Sequence, residues 1–166
     1  MLRLRRLFAT AGAVAIGVAM AAALAGCAST VSLEPAVAAN DPACAAVTVH
    51  LPASVAGESR RWTDAQATGA WGDPASVILT CGLTPPGPTT LPCTPVAGVD
   101  WIIDDTDAPR YRVTTFGRVP AVQIYLDNDV VSSAEVLDTL SRIVAALPTD
   151  GAVCTDTADT TAAPSP

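Results

Sequence analysis

The sequence predicts an α+β domain in which a small antiparallel sheet of about four strands is covered by a C-terminal helix and stapled by disulfides. Three observations lead to this fold class. Residues 77–79 form a short apolar run between turn residues, which is typical of a buried strand. Three later segments look like consecutive strands joined by short turns, and the last regular segment has one apolar helical face. A chain of 166 residues has room for one such domain.

The first 26 residues are predicted to be a lipoprotein signal peptide. Three arginines precede an Ala/Val/Leu-rich run over 7–23 that is too short and too weakly apolar for a comfortable membrane span. The sequence Leu-Ala-Gly-Cys at 24–27 resembles the bacterial lipobox, which implies that Cys27 is lipidated and becomes the mature N-terminus. One diacyl anchor supplies two chains, enough for stable attachment to a membrane. An ordinary cleaved signal with an incidental cysteine is the alternative, and twin-arginine export stays open as a route.

Composition divides the rest of the chain into three parts. Residues 27–41 are small, polar and interrupted by proline, and are predicted to be a tether. Residues 42–154 form the single domain, and the Thr/Ala/Asp/Pro-rich residues 155–166 are predicted to be a disordered tail. After the leader, six arginines stand against sixteen carboxylates, a formal net charge of −10. Such an acidic body repels nucleic acid, which is therefore excluded as a partner.

Four cysteines remain besides Cys27, and an even number outside the cytoplasm indicates two disulfides. Three pairings are possible. We favour Cys81–Cys93, which closes a short Pro-rich loop, and Cys44–Cys154, which ties the start of the domain to its end. A zinc site is the rival interpretation, but the chain has no C-x-x-C pair and a single histidine, His50.

The first half of the domain has weak secondary-structure signals. Asp41-Pro42 offers a helix N-cap with proline at the first helical position, so a helix over 42–51 is expected, although alternating apolar residues there also fit a strand. Residues 53–70 are interpreted as an irregular crossing. The five prolines within 83–95 exclude a central strand from that segment.

The second half has stronger signals. Segments 96–103, 111–116 and 119–126 are predicted to form an antiparallel meander with one packed and one polar face. Ser132 and Glu135 form a capping-box pattern at the start of a predicted helix over 132–147, which should cover the sheet.

Four residues are candidates for an interaction surface: Trp71, Asp73, Trp101 and Arg118. Tryptophans on an envelope protein can stack on sugars or anchor a partner, but packing beside the strands explains Trp71 and Trp101 as well. Arg118 could bind an external carboxylate or pair internally with Asp73 or Asp100. No catalytic residue, metal site or cofactor is expected, because the sequence has no nucleophile elbow, calcium loop or phosphate-binding glycine loop.

Four short motifs taken together resemble an actinobacterial family of small secreted or lipidated proteins, catalogued as domain of unknown function 3515. They are Trp71-Gly72-Asp73-Pro74, Leu79-x-Cys81-Gly82, Gly98-Val99-Asp100-Trp101 and Thr115-x-Gly117-Arg118. The resemblance covers roughly residues 42–154. It implies an envelope protein and brings no known activity, substrate or catalytic residue.

These observations favour a lipid-anchored protein on the extracytoplasmic face of the cell membrane, acting as a non-catalytic binding or assembly module. Its expected partners are the membrane, through the anchor, and an envelope protein or cell-wall component. A small-ligand or metal-carrying lipoprotein is the alternative, followed by an envelope hydrolase acting on cell-wall carbohydrate, for which Asp100 is the candidate carboxylate.

Overall fold

A computed structural model describes residues 30–155, which form one eight-stranded antiparallel sheet and two helices. The strand order is β1-β2-β3-β4-β8-β7-β6-β5. The predicted α+β class, with an antiparallel sheet and a C-terminal helix, is confirmed, but the sheet has eight strands and not about four. The elements are α1 (Pro42–Thr48), β1 (Ser54–Val55), β2 (Glu58–Arg61), β3 (Thr68–Trp71), β4 (Val77–Leu83), β5 (Cys93–Val96), β6 (Val99–Asp104), β7 (Arg110–Phe116), β8 (Ala121–Asp127) and α2 (Ser133–Val144).

The interpretation of 53–70 as irregular is wrong, because this segment supplies β1, β2 and β3. These strands have two to four residues each and contain arginine and glycine, so their pairing comes from tertiary contacts and not from local preference. Ala56 and Gly57 connect β1 to β2 with positive φ angles of 48° and 82°, the conformation of a type I′ hairpin turn. Ala97 and Gly98 connect β5 to β6 in the same way, at 47° and 81°.

The three-stranded meander is confirmed as β6, β7 and β8, and β4 extends the sheet beyond it by pairing with β8. Helix α1 has its predicted N-cap, since the Asp41 carboxylate accepts a 2.8 Å hydrogen bond from the Ala43 amide. Helix α2 begins after Ser132, but the hydroxyl of Ser132 makes no capping bond, so the predicted capping box is not formed.

Both helices lie on one face of the sheet, which we call the covered face. Side chains alternate along each strand, so the paired registers place Leu79, Trp101, Val113 and Ile124 on this face. All four are at most 2% exposed. Among residues 30–155 no helix lies on the opposite face, which we call the open face. Ile102 on this face is buried, and the other residues there along β4 and β6 to β8 are partly exposed or polar: Ile78, Thr80, Asp104, Arg112, Thr114, Phe116, Gln123 and Tyr125.

The predicted disulfide pairing is wrong: Cys44 bonds to Cys81 and Cys93 bonds to Cys154. Strands β4 and β5 are four positions apart in the sheet, which separates them by about 19 Å at the usual strand spacing. A disulfide requires Cα atoms within about 7 Å, so the Cys81–Cys93 bond cannot form. Cys81 instead faces α1 on the covered face, while Cys93 lies on the open face.

Part of the segment interpreted as a tether is integral to the fold. Val31 forms a bridge with Thr63, and the Ala38 amide donates a 2.9 Å hydrogen bond to the carbonyl of Gly82. The Val31 contact lies just after the last residue of β2, and the Ala38 contact lies near the last residue of β4. Because β2 and β4 run in the same direction, both contacts are at one end of the sheet, which we call the lower end. The predicted signal peptide, Cys27 and most of the predicted tail lie outside the described residues.

Candidate functional site

Two of the four candidate interaction residues belong to the core. The indoles of Trp71 and Trp101 are both 0% exposed. The Nε1 atom of Trp71 donates to the carbonyl of Pro52 at 3.1 Å, and that of Trp101 donates to the hydroxyl of Ser141 at 2.9 Å. Each indole therefore has a polar partner inside the protein, as buried tryptophans usually do.

Asp73 and Arg118 have internal partners too. The Asp73 carboxylate is exposed and lies 2.7 Å from Nη1 of Arg61. The guanidinium of Arg118 donates to the carbonyls of Ala145 and Leu147, at the end of α2, and to that of Gly98. Arg118 thus satisfies carbonyls that the last helical turn leaves without partners, and it does not pair with Asp73 or Asp100.

The open face carries a groove that sequence reasoning did not find. A cavity of about 690 Å³ lies between the Pro-rich loop over 84–92 and the C-terminal segment over 151–155. Ile102 and Phe116 on the sheet are part of its lining, Leu91 belongs to the loop side, and Val153 belongs to the terminal side. We call this cavity the open-face groove. Its surface combines these apolar side chains with the hydroxyls of Thr89 and Thr90.

A smaller cavity of about 180 Å³ continues beneath the same loop, because Thr89, Leu91 and Ile102 line both spaces. The exposed surface of this extension is mostly apolar, and its lining adds the charged residues Asp104 and Arg112. Hydrogen bonds from the hydroxyl and amide of Thr106 hold the pKa of Asp104 below its usual range. Asp107 accepts a hydrogen bond from Arg112 and raises the pKa of that guanidinium.

The second disulfide forms one rim of the groove. Cys93 and Cys154 both line it, and the Cys154 amide donates a 3.1 Å hydrogen bond to the Asp100 carboxylate. Ala152 packs closely against Gly117. A Cβ atom added at Gly117 would lie 2.0 Å from the carbonyl oxygen of Ala152. The sequence shows a cysteine, Cys154, beyond the last helix, which indicates that the C-terminal segment is held by a disulfide. Its partner, Cys93, could not be predicted because the pairing depends on the strand order.

The exposed tryptophan of the described chain is Trp62, whose accessible fraction is 79%. It lies just after β2, beside a cleft of about 430 Å³ that is lined by Leu51, Ala53, Ser59, Arg60 and Arg61. Sequence reasoning placed Trp62 in an irregular segment and chose Trp71 and Trp101, which are buried, as candidate interaction residues instead.

Between residues 30 and 155, no three His, Cys, Asp or Glu side chains are grouped so that they could hold a metal ion. Within the same range, no helix is long and apolar enough to cross a membrane. His50 lies at the end of α1, where its Nδ1 donates to the carbonyl of Ala46 at 2.7 Å.

Comparison with known proteins finds one family. The sequence pattern of the family described as "Protein of unknown function (DUF3515)" matches residues 8–151. No curated protein and no solved structure is detectably similar to the chain. Since the match spans most of the chain and confirms the resemblance of the four motifs, the protein belongs to the DUF3515 family.

Proposed function

We propose that the protein is an extracytoplasmic lipoprotein, anchored through Cys27, that acts as a non-catalytic binding or assembly module of the cell envelope. The observation that carries the binding role is the open-face groove, which we propose receives an extended segment of an envelope protein. Loops and termini on a rigid sheet are common positions for binding residues.

Two features support the location. Both disulfides are of the kind that persists in oxidising compartments, and each joins parts of the chain far apart in sequence, with separations of 37 and 61 residues. The lipobox-like sequence before Cys27 supplies the anchor, which would raise the effective concentration of the domain near membrane partners.

The form of the groove favours an extended occupant. It runs under the Pro-rich loop from a part with mixed polar and apolar surface, around Phe116 and Val153, to a mostly apolar part that also contains the charged residues Asp104 and Arg112. A partner segment with alternating apolar and polar side chains would match both parts. Apolar contacts would supply affinity, while the charged pair would fix direction.

The state of Asp104 supports a non-catalytic role. A general acid needs a carboxyl pKa raised towards neutrality, whereas the Thr106 hydrogen bonds hold the pKa of Asp104 low. Asp104 is therefore suited to accepting hydrogen bonds from a partner as a permanent carboxylate.

Site-specific photocrosslinking in intact cells tests the binding role. A photoreactive amino acid replaces Leu91, which is 40% exposed on the groove rim, and in a matched control it replaces Asp138, which is exposed on α2. We expect one recurrent envelope protein to be crosslinked from position 91 and not from position 138. Equal products from both positions, or none from position 91, would contradict the proposal.

A small-ligand carrier is the second candidate, because a cavity of about 690 Å³ falls within the range of ligand pockets. Native mass spectrometry of protein purified from its own membrane distinguishes the two. A bound small molecule of constant mass that is lost when Phe116 is replaced by Ala would favour the carrier.

A further inference from the structure

Trp62 differs from the other two tryptophans in having its indole in solvent. It is 79% exposed, while Trp71 and Trp101 are 0% exposed. A large amphipathic ring left in water at the edge of a sheet indicates a contact surface, and tryptophan is the residue enriched where membrane and water meet.

The N-terminal segment is fixed directly beside this tryptophan. The Val31 amide donates a 2.8 Å hydrogen bond to the carbonyl of Trp62. The next two residues bind the Asp64 carboxylate, which accepts from the Ser32 hydroxyl at 2.7 Å and from the Leu33 amide at 2.8 Å. These bonds also lower the pKa of Asp64. The chain therefore enters the domain at a defined point, next to Trp62.

This entry point lies close to the proposed lipid. Cys27 is four residues before Val31, and a fully extended chain spans at most about 3.6 Å per residue, so the two Cα atoms are no more than about 14 Å apart. That upper limit is about twice the depth of the headgroup region on one side of a bilayer, about 5–8 Å, so the lower end of the domain is held within reach of the membrane surface.

We propose that Trp62 is a second membrane contact, whose indole enters the interfacial layer of the same bilayer that holds the Cys27 lipid. The inference rests on the lipoprotein proposed above and specifies how that lipoprotein sits on its membrane. Lipid and indole together would fix the orientation of the domain, which the lipid alone would leave free.

Charges near Trp62 fit this contact. The guanidinium of Arg60 donates to the carbonyl of Leu51 at 2.9 Å, and none of the described carboxylates forms an ion pair with it. Arg60 can therefore face a lipid phosphate. Arg61 is occupied by Asp73. The mature chain is strongly acidic and the Asp64 carboxylate also lies beside Trp62, so Arg60 is the group here that offsets part of the repulsion from anionic headgroups.

Exposed aliphatic residues at the lower end support the same orientation. Val37 is 92% exposed in the N-terminal segment, and Val119 is 41% exposed in the connection between β7 and β8. Val37 lies near the last residues of β4, and Val119 follows the last residue of β7. Both are therefore at the lower end of the sheet, like Trp62, which follows β2. Val130, which follows β8 and is 58% exposed, lies at the opposite end of the sheet.

Fluorescence quenching of the mature lipoprotein in phosphatidylglycerol/phosphatidylethanolamine vesicles tests the proposal. Nitroxide lipids labelled near the headgroup quench indoles at the interface, and acrylamide quenches indoles in water. Trp62→Phe removes the exposed fluorophore and leaves the buried pair as background. Adding Val130→Trp to that variant places an exposed indole at the far end as the matched control.

We expect the nitroxide lipids to quench Trp62 severalfold more than the indole introduced at position 130 of the control. Acrylamide should quench Trp62 less in vesicles than in detergent. Mass spectrometry of the same preparation reports the lipid on Cys27. If the adduct is present and both positions respond alike, the second contact is overturned while the lipoprotein stands. If the adduct is absent, both proposals fail.

Discussion

The two faces of the sheet are built from the same strands and yet have different roles. On β8, Ile124 points to the covered face and is 0% exposed, while its neighbour Gln123 points to the open face and bonds to the hydroxyl of Thr114. One face carries two helices and the other a proline-rich loop with a groove beneath it. A period-two pattern therefore supplies both a core and a surface available for binding.

Each face also has its own disulfide. The Cys44–Cys81 bond lies in the core, and both residues are 0% exposed. The Cys93–Cys154 bond lies at the rim of the groove, where it holds the C-terminal segment over the open face. The first bond therefore belongs to the packing of the domain, and the second to the shape of its proposed binding surface.

Removing the disulfides separately gives the largest expected contrast. Replacing Cys44 and Cys81 together with alanine should lower the free energy of unfolding by about 4 kcal/mol, the chain-entropy value for a loop of this length. Replacing Cys93 and Cys154 should cost less despite the longer loop, because the freed C-terminal segment regains entropy by fraying in the native state.

Denaturant unfolding under non-reducing conditions measures both losses, and crosslinking from position 91 reports the groove. We expect the core pair to affect mainly stability and the rim pair to affect mainly crosslinking. The proposed division of roles would be contradicted if both double variants lost equal stability and the variant without Cys93 and Cys154 still crosslinked normally from position 91.

Adjacent residues of β8 give the next contrast. Ile124→Ala should lower the free energy of unfolding by about 3 kcal/mol, since it removes buried methyl and methylene groups and leaves a cavity. Gln123→Ala on the open face should cost about 1 kcal/mol or less, because it loses one partly exposed hydrogen bond to Thr114. Urea unfolding of the two variants measures both losses. Similar decreases in the free energy of unfolding would contradict the view that the open face contributes less to stability than the covered face.

The smallest effect is expected at Asp104, in the smaller cavity beneath the Pro-rich loop. Thr106→Ala removes the hydroxyl bond that contributes most to the low pKa of Asp104, so that pKa should rise towards its ordinary value of 3.8. A lowered native pKa stabilises the fold above the unfolded pKa, and this contribution is lost as the pH falls through the native value. The variant therefore keeps less of this contribution at neutral pH, and its stability should fall less than that of the wild type as the pH is lowered.

Carboxyl titration by NMR measures this change directly. Thr90→Ala, in the main cavity of the groove, is the matched control and should leave the Asp104 titration unchanged. An Asp104 pKa that does not move in Thr106→Ala would contradict the assigned cause.

Sequence reasoning recovered the parts of the fold that are determined locally. Alternation at 111–116 and 119–126 predicted β7 and β8, and the apolar spacing after Ser132 predicted α2. It missed β1 to β3, because strands containing Arg60 and Gly69 exist only through pairing with β4 and its neighbours.

The binding surfaces were harder to predict for a related reason. Cys93 and Cys81 are close in sequence but four strands apart, so the pairing depended on the strand order. The open-face groove arises because residues 84–92 fold back over the sheet, and Trp62 differs from Trp71 because the tertiary structure buries Trp71 and leaves Trp62 in solvent. Neither feature has a local sequence signal.

The two edge strands of the sheet, β1 and β5, affect the tendency of the protein to aggregate. The strand β5 has Pro95 in its middle, which offers no N–H to an incoming chain, and β1 at the other edge has two residues. Molecules concentrated in one plane, side by side, would meet edge to edge far more often than molecules in bulk solution. Because both edge strands are poor partners for hydrogen bonding, the sheets of neighbouring domains in such a layer would not pair edge to edge.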